Sequence, residues 1–168
     1  MNFTYGPNYQ RKITELYDGA DLVKKTTYVG SLYEKEEDNA GNIRHLYYIP
    51  GINGEAAVFE KVNSDPGEMY YIHKDHLGSY QTITNEGGSV TETLSFDPWG
   101  RRRNPNNWTF NSVPGTFKFD RGFTGHEHID AFDLINMNGR VFDPVTSQFF
   151  NPDNVVENAG SSQSYNRY

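Results

Sequence analysis

The chain has 168 residues, enough for one domain or part of one, and 22 acidic against 15 basic side chains leave it at −7. That balance excludes a general binder of nucleic acid or anionic membrane, which needs a positive field. With no cysteine, the chain also excludes disulfides, thiolate zinc sites and cysteine nucleophiles. Hydrophobic residues make up only 35%, yet 12 Tyr and 11 Phe supply a large aromatic share. Tyrosine favours strands and can bury its ring while its hydroxyl stays wet, so half-buried sheet faces are expected rather than a compact helical core.

From the N-terminus, Met1 to Tyr9 carries neither a basic patch nor an apolar core, so it is not a signal peptide. No apolar run approaches membrane-spanning length. Turn chemistry then punctuates the chain at Asp38-Asn39-Ala40-Gly41-Asn42, Gly51-Ile52-Asn53-Gly54, Asp65-Pro66-Gly67 and Glu86-Gly87-Gly88. The runs between these turns are rich in Tyr, Val, Ile, Thr and Phe, as strands are. Ile43, His45, Tyr47 and Ile49 share one face of such a run. Gly54 to Val62 contains Ala56 and Ala57 and is the best helix candidate, but its flanking turns and Val58-Phe59 favour a strand. Tyr80 to Thr84, a turn around Gly87-Gly88, and Val90 to Phe96 read as a β-hairpin. Its second strand puts Val90, Glu92, Leu94 and Phe96 on one face and Thr91, Thr93 and Ser95 on the other.

Repetition carries more information than any single run. Tyr5-Gly6-Pro7, Phe96-Asp97-Pro98 and Phe142-Asp143-Pro144 lie 91 and then 46 residues apart, close to four and two periods of about 23. Tyr28, Tyr48, Tyr71 and Phe119 fall near the intervening places. Each repeat has a local rationale. An aromatic ends a strand by packing across the pair, and Asp-Pro opens a turn. In Asp97-Pro98-Trp99-Gly100 the glycine supplies the positive φ that closes it. The expected fold is all-β, with antiparallel hairpin repeats forming a curved or spiralling sheet.

Several residues admit a sharper chemical reading. His73, Asp75 and His76, and separately His126, Glu127 and His128, could hold a metal. His126 and His128 would share a strand face. Neither spacing matches a specific zinc motif, and the alternative is hydrogen-bonded turn and strand-end residues. Arg101-Arg102-Arg103 reads as a solvated tip rather than a phosphate patch. A glycosidase pair cannot be nominated among 22 carboxylates. Trp99 and Trp108 could stack on sugars. Trp99 lies inside a repeat turn and is expected to pack, which leaves Trp108, in the irregular stretch Asn104 to Gly115, as the better candidate.

Four ordered elements resemble the Rhs (YD-repeat) family. Tyr71-Ile72-His73-Lys74-Asp75-His76-Leu77-Gly78-Ser79 looks like the stretch that introduces its repeat-associated core region. Phe96-Asp97-Pro98-Trp99-Gly100-Arg101 and Phe123-Thr124-Gly125-His126-Glu127 resemble two further elements. Gly139-Arg140-Val141-Phe142-Asp143-Pro144, with Gln148-Phe149-Phe150-Asn151-Pro152-Asp153, resembles a fourth. Tyr165-Asn166-Arg167-Tyr168 looks like the start of the next segment. On this reading residues 1–70 are generic hairpin repeats and residues 71–168 a core-like region that stops short of the whole motif.

The resemblance implies a β strip that, in full-length relatives, spirals into a hollow shell around a C-terminal effector or toxin. An aspartyl autoprotease releases that segment. Position by position, Arg140 matches the family's arginine and Asp153 its first aspartate. Asn154 stands where proline is usual, and the partner aspartate would lie in a later Asp-Pro-x-Gly-Leu motif beyond Tyr168. Aspartyl chemistry needs two carboxylates sharing a proton, so this chain is expected to be non-catalytic. The resemblance implies no cofactor and no metal. The expected partners are neighbouring repeats of the parent polypeptide and its effector segment, with self-association through open sheet edges. The implied location is secreted or cell-surface, as part of a larger protein. A second functional class is a cell-surface carbohydrate-binding β domain.

Overall fold

The computed structural model describes residues 1–7, 10–52, 54–153, 160 and 162. A nine-stranded sheet runs in chain order through β1 (Asn2–Tyr5), β2 (Arg11–Asp18), β3 (Asp21–Val29), β4 (Tyr33–Asp38), β5 (Ile43–Gly51), β6 (Gly54–Val62), β7 (Glu68–Lys74), β8 (Tyr80–Asn85) and β9 (Val90–Thr93). A four-stranded sheet holds β10 (Glu127–Ile129), β11 (Leu134–Asn136), β12 (Val141–Asp143) and β13 (Gln148–Phe149). No α-helix occurs among the described residues; Phe123–Gly125 and Asp130–Phe132 are single 3-10 turns. None of their helices is long and apolar enough to cross a membrane. By compactness the chain forms two units, Met1–His73 with Ile83–Thr91, and Lys74–Thr82 with the residues from Glu92 on.

The expected succession of antiparallel hairpins is therefore present. The strand pairs that open at Arg11, Tyr33, Gly54 and Tyr80 follow one another at twenty-odd residues. Gly54–Val62 is a strand, as its flanks require. Val90 begins a strand that stops at Thr93, shorter than the alternation to Phe96 suggests, with Phe96 instead bridging Arg102.

In the first unit, register sorts the side chains into two faces. Tyr28, Glu34, Leu46 and Glu60 are cross-strand neighbours on one face, and Tyr48, Val58 and Tyr70 form the adjoining row. This face is buried: Leu46 is 1% exposed and Val58 fully enclosed. Burying a side chain of that size contributes roughly 1.5–3 kcal/mol. The opposite face carries Tyr33, Tyr47 and Phe59 in one row, with ring centroids 5.0 and 6.1 Å apart. Tyr47 on that face remains 43% exposed. Ile43, His45, Tyr47 and Ile49 thus share a face as expected, and it is the outer one. Tyr71 marks its repeat in sequence but not in the core. It projects outward, and the buried aromatic of that strand is Tyr70.

The buried face is not simply apolar. The Tyr48 hydroxyl donates to Glu34 Oε2 at 3.0 Å, and the Tyr70 hydroxyl donates to Glu68. Arg44 Nη1 donates to Glu36 Oε2 at 2.8 Å while its Nε donates to Glu60. Lys24 reaches Glu36 at 3.4 Å. Buried carboxylates persist only when bonded in this way. Burial, then the hydrogen bond to Glu68, pushes the Tyr70 hydroxyl far above the ordinary phenol range, so it stays a donor.

In the second unit the core gathers Tyr80, Leu94, Phe119, Ile129, Ile135 and Phe142. Phe119 is buried although it belongs to no strand. It lies in the irregular passage that follows Arg103.

Candidate functional site

Arg140 and Asp153 come together. A tight turn, in which Met137 N–H donates to the Arg140 carbonyl at 2.9 Å, joins β11 to β12 and ends at Arg140. Asn138 sits there in left-handed backbone (φ 62°), its N–H taken by the Asn136 side chain at 3.1 Å. The guanidinium stacks on the Phe149 ring, 3.7 Å from its centroid, and Phe149 packs edge-on against buried Phe142 at 5.1 Å. Arg140 Nη2 then meets Asp153 Oδ2 at 3.2 Å. The Asp153 side chain is 44% exposed. A guanidinium and a single carboxylate can orient and balance charge, but they cannot divide acid and base roles between two carboxylates. Asn154 and the segment Tyr165-Asn166-Arg167-Tyr168 lie outside the described residues.

A recurrent turn occurs in both units. Asp38–Asn42, Asp75–Ser79, Asn85–Ser89 and Asp97–Arg101 have the same five-residue geometry. The first residue's N–H bonds the fifth carbonyl, and the fourth residue's N–H bonds the first carbonyl. The first side chain accepts the fifth N–H at 2.8–2.9 Å. The fourth residue is always a glycine with φ between 80 and 92°. This is the three-residue hairpin loop that needs a left-handed residue in fourth place, reinforced by an Asx turn. At Gly100 even a methyl group is excluded, since a Cβ would lie 2.6 Å from Phe123 Cδ1.

Gly122–His126 repeats the backbone pattern without the acid. Gly122 N–H bonds the His126 carbonyl at 2.8 Å, and Gly125 N–H bonds the Gly122 carbonyl at 3.1 Å. The fifth N–H is taken by the Phe123 carbonyl at 2.9 Å, and the second and third N–H groups bond side chains elsewhere in the same unit. Phe123 N–H donates to His128 Nε2 at 3.0 Å, and Thr124 N–H donates to Ser79 Oγ at 3.1 Å. A side chain on Gly122 would not fit, because its Cβ would stand 2.8 Å from Phe96 Cζ and 3.0 Å from His128 Nε2. Burial first, then the Arg102 charge and His126, push the His128 imidazole well below its ordinary value. This neutral, accepting ring is what the turn requires.

Most residues of the two suggested metal clusters have hydrogen-bond partners of their own. His126 Nδ1 is bonded to Thr124 Oγ1 at 2.7 Å, and Glu127 accepts from Asn136 Nδ2 at 3.0 Å. His73 pairs with Thr84 Oγ1 at 3.0 Å, and Asp75 serves its own turn. Among the described residues no three His, Asp or Glu side chains gather in a ligating geometry.

Arg101-Arg102-Arg103 corrects the expectation of a solvated tip. Each guanidinium covers an aromatic ring: Arg101 over Phe110 at 4.0 Å, Arg102 over Phe117 at 3.6 Å, Arg103 over Trp108 at 5.6 Å. Arg102 Nε also donates to Asp130 Oδ1 at 2.7 Å. Cation–π contacts thus hold the strandless passage in place. Trp108 is 69% exposed and held in left-handed backbone (φ 60°). Trp99 lies in its turn as expected, yet the residue is 55% exposed rather than packed.

Sequence reasoning missed the Glu36–Arg44–Glu60 cluster and the acid-free turn. The turn was detectable, since Gly122 to His126 keeps the glycine of the Asp/Asn-x-x-Gly-x pattern and loses only its first side chain.

No family model matches the chain, and no curated protein sequence does. Solved structures do. The chain superposes on the crystal structure of TcdB2-TccC3-TEV with a TM-score of 0.66 at 15% identity, over 90% of this chain and 8% of that one. TcdB2-TccC3 without its hypervariable C-terminal region gives 0.58 at 13% identity, over 91% and 9%. TcdB2-TccC3-Cdc42 gives 0.53 at 18%, over 99% and 9%. The likeness is one of fold, and the chain spans less than a tenth of each of these proteins.

Proposed function

We propose that this chain is a non-catalytic structural segment of an Rhs/YD-repeat shell, the part of a longer protein that encloses a C-terminal effector. The observation that carries the reading is the fold likeness to TcdB2-TccC3-TEV over 90% of the chain. The four ordered Rhs-like elements from Tyr71 to Asp153 support it independently. So does the sheet, an open strip in chain order that ends at β1 on one side. Its partners are then neighbouring repeats and the effector segment, and its setting is that of a secreted or cell-surface protein. Arg140 and Asp153 fit half of an aspartyl self-cleavage site.

The test is to express the chain together with the parent residues that adjoin it and measure intact mass and particle shape. A hollow particle that shields the downstream segment from added protease supports the reading. A solid, closed domain overturns it. A cut downstream that is lost in both Asp153→Asn and Arg140→Ala would replace the non-catalytic clause with self-cleavage.

The exposure of Trp99 and Trp108 favours a second reading, a carbohydrate-binding β domain. Glycan-array binding lost on Trp108→Ala would support it, and a blank array would remove it.

A further inference from the structure

We propose that the Gly122–His126 turn is an acid-released latch, closed only while the His128 imidazole is unprotonated. In the other four turns the first side chain accepts the fifth N–H, whereas here the Phe123 carbonyl takes the fifth N–H, Ser79 Oγ the third and His128 Nε2 the second. A protonated imidazole presents N–H at both ring nitrogens. Nε2–H would then point at the Phe123 N–H, donor against donor, at a separation of 3.0 Å.

Neighbouring groups give the cation no refuge. His128 packs at a tilt against Phe96 with centroids 5.2 Å apart, and Gly122 closes on its ring edge. Arg102 and His126 bear on it with positive charge, and Asp130 is already engaged by Arg102. Asp120 and Arg121 lie on the adjoining backbone, the His128 N–H bonding the Asp120 carbonyl and Arg121 bridging Glu127. Glu127 is taken by Asn136, and Glu92 accepts the Lys118 N–H. Opening the turn lets His128 reach water and protonate. It also breaks the Thr124–Ser79 bond and the Tyr80 N–H to Gly122 carbonyl bond of 3.0 Å. Acid therefore loosens this corner of the second unit before the rest.

The test is amide hydrogen exchange at Phe123 and Thr124 in the full chain, corrected for intrinsic rates. Below about pH 6.5 their protection should fall by up to roughly tenfold per pH unit, until the folded-state pKa of His128 is reached. His128→Gln keeps an acceptor that does not titrate there, and it should flatten that slope. Glu92→Gln and Asp130→Asn should leave the slope in place. A pH-independent protection in the wild type, or a slope that survives in His128→Gln, overturns the latch. Should His128→Gln fail to fold, the wild-type ring decides by NMR titration. A His128 pKa at or above the ordinary imidazole value overturns it, and one well below supports it.

Discussion

Glu36 on β4 and Arg44 on β5 stand directly opposite each other and join through an Nη1–Oε2 contact of 2.8 Å. The same guanidinium reaches diagonally to Glu60 on β6, so one arginine ties three strands. Desolvation alone would weaken its protonation. The carboxylates of Glu36 and Glu60 outweigh that and raise its pKa.

Removing that arginine should therefore cost more than removing an apolar neighbour of equal size. Arg44→Ala leaves two nearly buried carboxylates facing each other, and it should destabilise the first unit by about 3 kcal/mol. Arg44→Met combined with Glu36→Gln and Glu60→Gln should recover much of the loss, because a neutral packed row carries no charge penalty. Urea midpoints of the three proteins form the check. A single variant as stable as wild type would mean the cluster is solvated.

Tyr48→Phe tests the same face differently. It deletes only the hydroxyl that donates to Glu34, leaving a buried carboxylate short of one donor. A loss of about 1–3 kcal/mol is expected from that desolvated acceptor. On the outer face, Tyr47→Phe should lie within about 0.5 kcal/mol of wild type, as surface changes usually do. Equal losses from the two would show that hydroxyl bonding is not what the buried face depends on.

Much of this architecture is legible in the sequence. Turn chemistry at Asp38–Asn42 and Glu86–Gly88 marks hairpins locally, and β-branched and aromatic runs mark the strands between them. Which face is buried is not legible. Alternation groups Ile43, His45, Tyr47 and Ile49, but the row with more apolar residues lies outward while Arg44, Leu46 and Tyr48 lie inward. A polar row becomes a buried row only once Glu36 and Glu60 arrive from other strands, and single-strand periodicity carries no such information. The arginine triplet fails for the same reason. Its aromatic partners Phe110, Phe117 and Trp108 follow in a strandless passage whose path no local rule sets. Arg140 and Asp153 were legible through the resemblance alone.

Glu92 should make the second unit less stable at neutral pH than in mild acid, against the trend set by His128. Burial raises its carboxyl above the ordinary value, the Lys118 N–H pulling the other way. A raised folded-state pKa means that the folded form binds the proton more tightly. Stability is then full below the unfolded value near 4.5 and is lost as pH rises through the folded one. Glu92→Gln should accordingly raise Tm at pH 7 and leave it unchanged near pH 4. A gain that is equal at both pH values would assign the effect to packing instead.

The open edge at β1 gives a last expectation. All four of its residues are exposed, and β2 pairs with it on one side only. A bare edge with Phe3 and Tyr5 exposed is a template for strand addition. The isolated chain should therefore self-associate with rising concentration, as seen by light scattering. Thr4→Pro removes a backbone donor and disfavours the extended pairing. Phe3→Lys charges the same edge without touching the backbone. Both should shift the chain toward monomer while the far-ultraviolet β signal persists. If association survives both changes, the contact lies on another surface. The outer row of Tyr33, Tyr47 and Phe59 would then be the place to mutate, since it is the next run of aromatic side chains left on the exposed face of the first unit.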